Sequence, residues 1–155
     1  MRLTQATNYS VRILLYCAAN PDRLSRVADI AASFGMSETH LFKILKVLVD
    51  NGFVQTIRGR NGGIALGRPA EEITVGEVVR AAEETFVLAD CFDEKGHDCP
   101  LTQSCAYNRI LREALGAFFE VLDRYTIADV ARERPDLRFL LGIEDAGRVP
   151  AAGAA

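Results

Sequence analysis

What the chain lacks closes several classes. Its 155 residues hold no run of roughly eighteen apolar residues, so no membrane-spanning helix is expected. The start has no secretory apolar core, because Arg12 interrupts the stretch from Val11 to Ala19. The expected compartment is therefore the cytoplasm, where thiols stay reduced and disulfides are rare. No G-x-x-x-x-G-K-[ST] occurs, and no helix directly follows the glycine-rich stretch at 59–63, which argues against a nucleotide site. A second constellation of bases that would suit an enzyme is also missing. So is overall positive charge: the net is −3. That deficit hides a split. Residues 1–68 carry nine Lys/Arg and four Asp/Glu, a net of +5. Residues 69–155 carry nine and seventeen, a net of −8. A basic first half suits a polyanion, even in an acidic chain.

Cysteines number four, and three sit in Cys91-Phe-Asp-Glu-Lys-Gly-His-Asp-Cys99-Pro-Leu-Thr-Gln-Ser-Cys105. A polar loop gives thiols no apolar place to hide, so burial does not explain C-x7-C-x5-C. Soft thiolates gathered on one loop suggest zinc or an iron–sulfur cluster, against the plain alternative of three incidental reduced thiols. Cys17, in Leu-Leu-Tyr-Cys-Ala-Ala, reads instead as a small buried hydrophobe.

A length of 155 residues suits one domain with an appended arm, and the 49% hydrophobic content is enough for a real core. Thr4 or Thr7 caps a first helix to about Ala19, with Tyr9, Ile13, Leu14, Cys17 and Ala18 at helical spacing. Ser25 opens a second helix, Arg26 to Phe34. Gly35-Met36 turn the chain, and Ser37 caps a third helix to about Val49. There Leu41, Ile44, Leu45 and Leu48 share one face. Thr39, Lys43 and Lys46 lie opposite, with His40 at the edge. This is the pattern of a helix-turn-helix, whose second helix enters the major groove N-terminus first. Ser37, Thr39, His40 and Lys43 are then the candidates for base edges and nearby phosphates. Phe53–Ile57 and Ile64–Leu66 read as the strands of a hairpin joined by a turn at Arg58–Gly63, within which Asn61-Gly62 is a strong hairpin signal because both residues tolerate positive φ. A hairpin in that place is a wing. Arg58 and Arg60 at its tip suit a minor groove or phosphates, and the glycines allow close backbone approach.

After Pro69, the capping box Thr74-Val-Gly-Glu77 starts a helix to about Glu83. The longest helix is expected at about Ser104–Tyr125. Its stripe (Tyr107, Ile110, Leu111, Ala114, Leu115, Phe118, Val121, Leu122, Tyr125) is wider than a small domain needs. A two-fold pairing of these helices would cover it, and would match a palindromic operator with half-sites about one DNA turn or a multiple apart. Thr126 caps a last short helix to about Arg132. The expected fold is mainly α with a small β-hairpin wing: a winged helix-turn-helix with a long C-terminal dimerisation helix. Its parts are a DNA-binding domain at 1–82, a cysteine loop at 83–105, a dimerisation helix and C-terminal segment at 106–142, and a disordered tail at 143–155.

These residues also carry a resemblance. The start Met1-Arg-Leu-Thr-Gln-Ala-Thr-Asn-Tyr-Ser-Val-Arg12, the wing Arg58-Gly-Arg-Asn-Gly-Gly-Ile-Ala-Leu66, the three-cysteine loop, and Phe118-Phe-Glu-Val-Leu-Asp-Arg-Tyr-Thr-Ile-Ala-Asp129 are similar to the bacterial winged-helix iron–sulfur regulators of the Rrf family. That family includes RirA-like, nitric-oxide-sensing NsrR-like and IscR-like branches. Tyr16-Cys-Ala-Ala-Asn20, Asp90-Cys91-Phe92 and Asp98-Cys-Pro-Leu101 look closest to the rhizobial iron-regulator branch, RirA. The resemblance covers about residues 1–142. It implies a homodimeric, non-enzymatic repressor that binds operator DNA in its cluster-bound form and controls iron-uptake genes. Cys91, Cys99 and Cys105 match the three ligands of a [4Fe-4S] cluster, with [2Fe-2S] as a degradation or alternative form. Thr4 and Tyr9 match a segment lying along the DNA backbone. Lys46, Asn61 and Gly62 fall among the DNA-contacting positions of the third helix and wing. Asn8 stands where the nitric-oxide-sensing branch typically has a ligating aspartate. That leaves His97, Asp93, Asp98 or solvent for the fourth position. A nitric-oxide-sensing repressor is the alternative in the same class. From other classes, a zinc-stapled DNA-binding module would be colourless, and an iron–sulfur enzyme would need a substrate pocket.

Overall fold

The computed structural model describes residues 2–92, 99–101 and 104–143. From residue 144 onward, the tail expected to be disordered lies outside them, as do Asp93, His97 and Asp98. Helix α1 spans Gln5–Ala19, and Thr4 caps it by accepting the Thr7 amide on its side chain. Helices α2 (Val27–Phe34) and α3 (Glu38–Asp50) follow, separated by Gly35 in the left-handed region at φ 63°. Strands β1 (Val54–Ile57) and β2 (Gly63–Leu66) pair antiparallel, with Val54 opposite Leu66. Then come α4 (Val75–Ala82), α5 (Ala106–Leu122), α6 (Ile127–Arg132) and α7 (Leu137–Leu140). Both reciprocal caps form, Thr74 with Glu77 and Thr126 with Asp129.

One core joins these elements. Ile13 and Leu14 of α1, Ile30 of α2, Leu41 and Leu48 of α3, Ile64 of β2, Val78 of α4 and Ile127 of α6 are all fully buried. Alternating turns of each helix supply the apolar stripe, so burial of one face is what holds the three-helix reading head together. Leu141, after α7, closes the far side, and its carbonyl accepts the Ser33 hydroxyl at 2.7 Å.

Three expectations need correction. Ser25 does not open α2. Its backbone N–H and carbonyl pair with Ile64 at 2.8 and 2.9 Å, which makes it a bridge to the wing, and Arg26 takes the cap position without a side-chain bond. The wing turns within the expected stretch, but Asn61-Gly62 do not carry its positive φ. The ladder ends at Ile57 and Gly63, leaving residues 58–62 as a five-residue loop. Loop length sets turn type, and the positive φ falls on Gly59, at 120°. Gly62 is needed for room: a Cβ there would collide with the Ile57 carbonyl. Finally, α5 is shorter than expected: it begins at Ala106, because the Cys105 sulfur occupies its N-cap, and it ends at Leu122, with Asp123 as C-cap.

Cys17 is buried at 3% exposure, as expected of a packing residue. Burial pushes its thiol up to about 12, and a hydrogen bond with Ser25 only partly offsets this. The folded state thus favours the neutral thiol. That contribution holds below the ordinary cysteine range and fades as pH climbs toward 12. Alkylation of native protein near pH 8 is therefore expected to spare Cys17, and unfolding to expose it, as read by peptide mass spectrometry.

Candidate nucleic-acid interface and cysteine site

The solvent face of α3 holds Ser37, Thr39, His40, Lys43 and Lys46, all exposed. Amphipathic spacing puts them there: the opposite face is spent on Leu41, Ile44, Leu45 and Leu48. Ser37 accepts the His40 amide at 3.3 Å, which caps the helix and leaves its own hydroxyl proton to donate. Lys46 pairs with Asp50 at 2.7 Å, one turn along an exposed face. Such pairs contribute only about 0.3–0.5 kcal/mol, so a phosphate competes readily for that ammonium. Tyr9 of α1 meets the His40 ring edge-on at 5.5 Å, and the Arg12 guanidinium lies over Tyr9 at 5.6 Å. The first helix therefore braces the edge of α3. Arg58, Arg60 and Asn61 stand exposed at the wing tip, and Gly62 lies just behind them.

Thr4 is more constrained than sequence reading implied. Its amide donates to the Glu83 carboxylate at 2.6 Å and its hydroxyl at 3.1 Å. The Thr7 hydroxyl donates to the same oxygen. Burial pushes the Glu83 carboxyl up, but the bonds from Thr7 and Thr4 outweigh it and hold it below the ordinary glutamate range. The bond set is therefore present near neutrality and is lost as acid protonates the folded carboxylate. Glu83 ends α4 and starts the cysteine segment, so this carboxylate ties that segment to the head of α1. No local signal marks it, since its partners lie more than seventy residues away in sequence. Glu83→Gln should speed amide exchange across residues 4–8 about tenfold and move Tm by only about 2–4 °C. Equal exchange in the two proteins would remove Glu83 from any such role.

At the other end of the cysteine segment, Asn108 joins two of the three cysteines. Its side-chain amide donates to the Cys91 carbonyl at 3.2 Å, and its backbone amide donates to the Cys105 sulfur at 3.5 Å. Cys91 and Cys105 are half-buried and Cys99 is exposed. Among the described residues, no three His, Cys, Asp or Glu side chains converge as a metal site. The donor set nonetheless suits a soft-metal group. Three thiols stand in a polar segment, one of them at a helix N-terminus, where ligand-type negative charge is best accommodated. Asn8, the position in question for a fourth ligand, donates its side-chain amide to the Thr4 carbonyl at 3.0 Å.

Between these sites, α5 is anchored mainly at its C-terminal half. Arg80 of α4 grips Asp123 in a two-pronged pair at 2.8 and 2.6 Å, and lies 4.3 Å above the Phe119 ring. A Cβ at Gly76 would overlap the Asp123 carboxylate, so glycine permits this approach. No residue of α5 is fully buried, and Tyr107, Ile110 and Val121 are all close to half exposed or more.

A helix-turn-helix followed by a hairpin wing is a winged-helix arrangement, and among the described residues no helix is long and apolar enough to cross a membrane. Comparison with known proteins narrows this. The chain belongs to the Rrf2 family, described as iron-dependent transcriptional regulators, whose profile matches residues 3–133. It is 55% identical over 145 residues to Protein aau3 of Rhizobium meliloti, covering 94% of both chains. It is 46% identical over 142 residues to the HTH-type transcriptional regulator NsrR of Geobacillus kaustophilus, covering 91% of this chain and 97% of that one. Among solved structures, T. potens IscR superposes with a TM-score of 0.68 at 25% identity, over 88% of this chain and 90% of that one.

Proposed function

We propose that the chain is an iron-responsive transcriptional repressor that binds palindromic operator DNA as a homodimer. Cys91, Cys99 and Cys105 would hold its iron–sulfur cluster, which we read as [4Fe-4S]; when bound, it supplies an iron- and oxidant-labile crosslink between the two ends of the segment. The observation that carries this reading is placement. One exposed basic face on α3 and one on the wing sit on the same core, and the cysteine segment is tied at both ends to elements of that fold. Glu83 fastens its start to α1, and Asn108 fastens Cys91 to the first turn of α5. Thr39, His40 and Lys43 would read base edges and phosphates, Lys46 and Arg58 phosphates, and Arg60, Asn61 and Gly62 the minor groove. Ser37 would steady the entering end of α3, with Tyr9 and the Thr4 end of α1 along the backbone. Ordering the segment between Glu83 and Cys105 sets where α5 leaves each head, and so the spacing of two heads in a dimer.

The nitric-oxide-sensing alternative draws support from the 46% identity to NsrR. Against it stands Asn8, a neutral amide already bonded to the Thr4 carbonyl. The decisive experiment purifies the protein without oxygen, measures iron and sulfide, and titrates it against a selected operator with and without an iron chelator. Brown, sulfide-containing protein that releases DNA on chelation supports the reading. Colourless zinc protein, or binding indifferent to chelation, overturns it. Release by nitric oxide with no response to iron would favour the alternative.

A further inference from the structure

Phe42 is a large apolar side chain on the solvent face of α3. It lies on the second turn of α3 and is 56% exposed, although a phenylalanine is costly to leave in water. On a wheel of about 100° per residue it falls about 40° from Lys46 and about 60° from Thr39, within the solvent face. Among the described residues no ring or guanidinium covers it. Together with Val49 and Ile57, which are also exposed, it forms the apolar floor of a groove of about 550 Å³ between α3 and the wing. Arg26, Lys46 and Arg58 stand around that floor, with one carboxylate, Asp50, paired to Lys46 at 2.7 Å, which leaves the rim net positive.

An apolar floor with a net positive edge fits one surface well. In the major groove of B-DNA, phosphates run along both edges, and the thymine C5-methyl is the apolar group presented on the base edges. We infer that Phe42 is a base-reading residue that packs its ring on a thymine methyl in each half-site, while Lys46 and Arg58 take the flanking phosphates. This rests on the reading of α3 as the DNA-entering helix and adds to it a specificity that no hydrogen-bonding side chain supplies. An acidic, amphipathic segment of another protein is the other occupant such a groove could take. The shared face with Thr39 and Lys43 favours DNA.

The test uses the oxygen-protected, full-length protein and an operator obtained by in vitro selection. Each thymine is replaced in turn by deoxyuridine, which removes only the methyl. Wild-type protein should lose about fourfold in affinity at one thymine of each half-site. Phe42→Ala should bind the unmodified operator more weakly by a similar factor and be indifferent to deoxyuridine there. Its dependence on salt should be unchanged, because no phosphate contact is removed. As a half-exposed residue, Phe42 is replaceable without a core cavity. A flat deoxyuridine profile for wild type, or the same profile in Phe42→Ala, overturns the inference. If Lys43→Ala still lowers the salt slope by about one on that DNA, the reading of α3 survives and only this inference falls. If Lys43→Ala leaves the slope untouched, or no duplex is bound, both fall together.

Discussion

Cys99→Ala protein, made and kept without oxygen, is expected to be colourless and to bind its operator about a hundredfold more weakly than the parent. The exposed position of Cys99 makes the test clean, because removing its sulfur opens no cavity in the core. The magnitude follows from population arithmetic. If the ordered segment holds the dimer about 99% in the DNA-competent arrangement and its loss leaves about 1%, apparent affinity falls by the ratio of those populations. The underlying bias is about 5.5 kcal/mol, modest beside the free energy of thiolate–metal bonding, which falls in the range of about 10–16 kcal/mol for structural zinc. Alkylation of the buried Cys17 gives the control: it is expected to stay unreactive in both proteins. Retention of full operator affinity by Cys99→Ala would detach DNA binding from the cysteine segment altogether.

Ile110→Glu is expected to halve the solution mass, as read by light scattering, and to weaken operator binding by about 10²–10⁴. In one copy of the chain Ile110 is 55% exposed, so a charge there costs the isolated fold little, within about 0.5 kcal/mol. Across a two-fold axis the same substitution places two carboxylates in an apolar seam, where unpaired charge is costly. Tyr107 and Val121, 62% and 47% exposed, belong to the same uncovered helix. Loss of DNA affinity follows because the second head no longer binds as an intramolecular event. Unchanged mass, with unchanged affinity, would show that α5 is covered in some other way.

Much of this fold is legible in the sequence. Leu41, Ile44, Leu45 and Leu48 marked the inward face of α3, and all four are buried. Thr74 and Glu77 announced α4 through a reciprocal cap that operates over three residues. Signals of this kind are local, and local hydrogen bonds and periodic burial act within one or two turns. The misses are non-local or depend on loop length. Ser25 looked like a helix cap because serine often is one, but its backbone is claimed by Ile64, far along the chain. Asn61-Gly62 looked like the seat of positive φ in the wing turn, but the strand register left a five-residue loop that places it on Gly59.

The same division runs through the candidate site. The sequence alone determined the reading head, because helix period, caps and turn residues are written in neighbouring positions. It also supplied the thiol set, since C-x7-C-x5-C in a polar stretch is a matter of spacing. Only the tertiary structure decided how those parts are joined: the Glu83 carboxylate on Thr4 and Thr7, the Asn108 link from Cys91 to Cys105, and the Arg80 grip on Asp123. Such bonds depend on where chain folding brings distant residues, and no pattern along the sequence records a distance of a few ångströms between them.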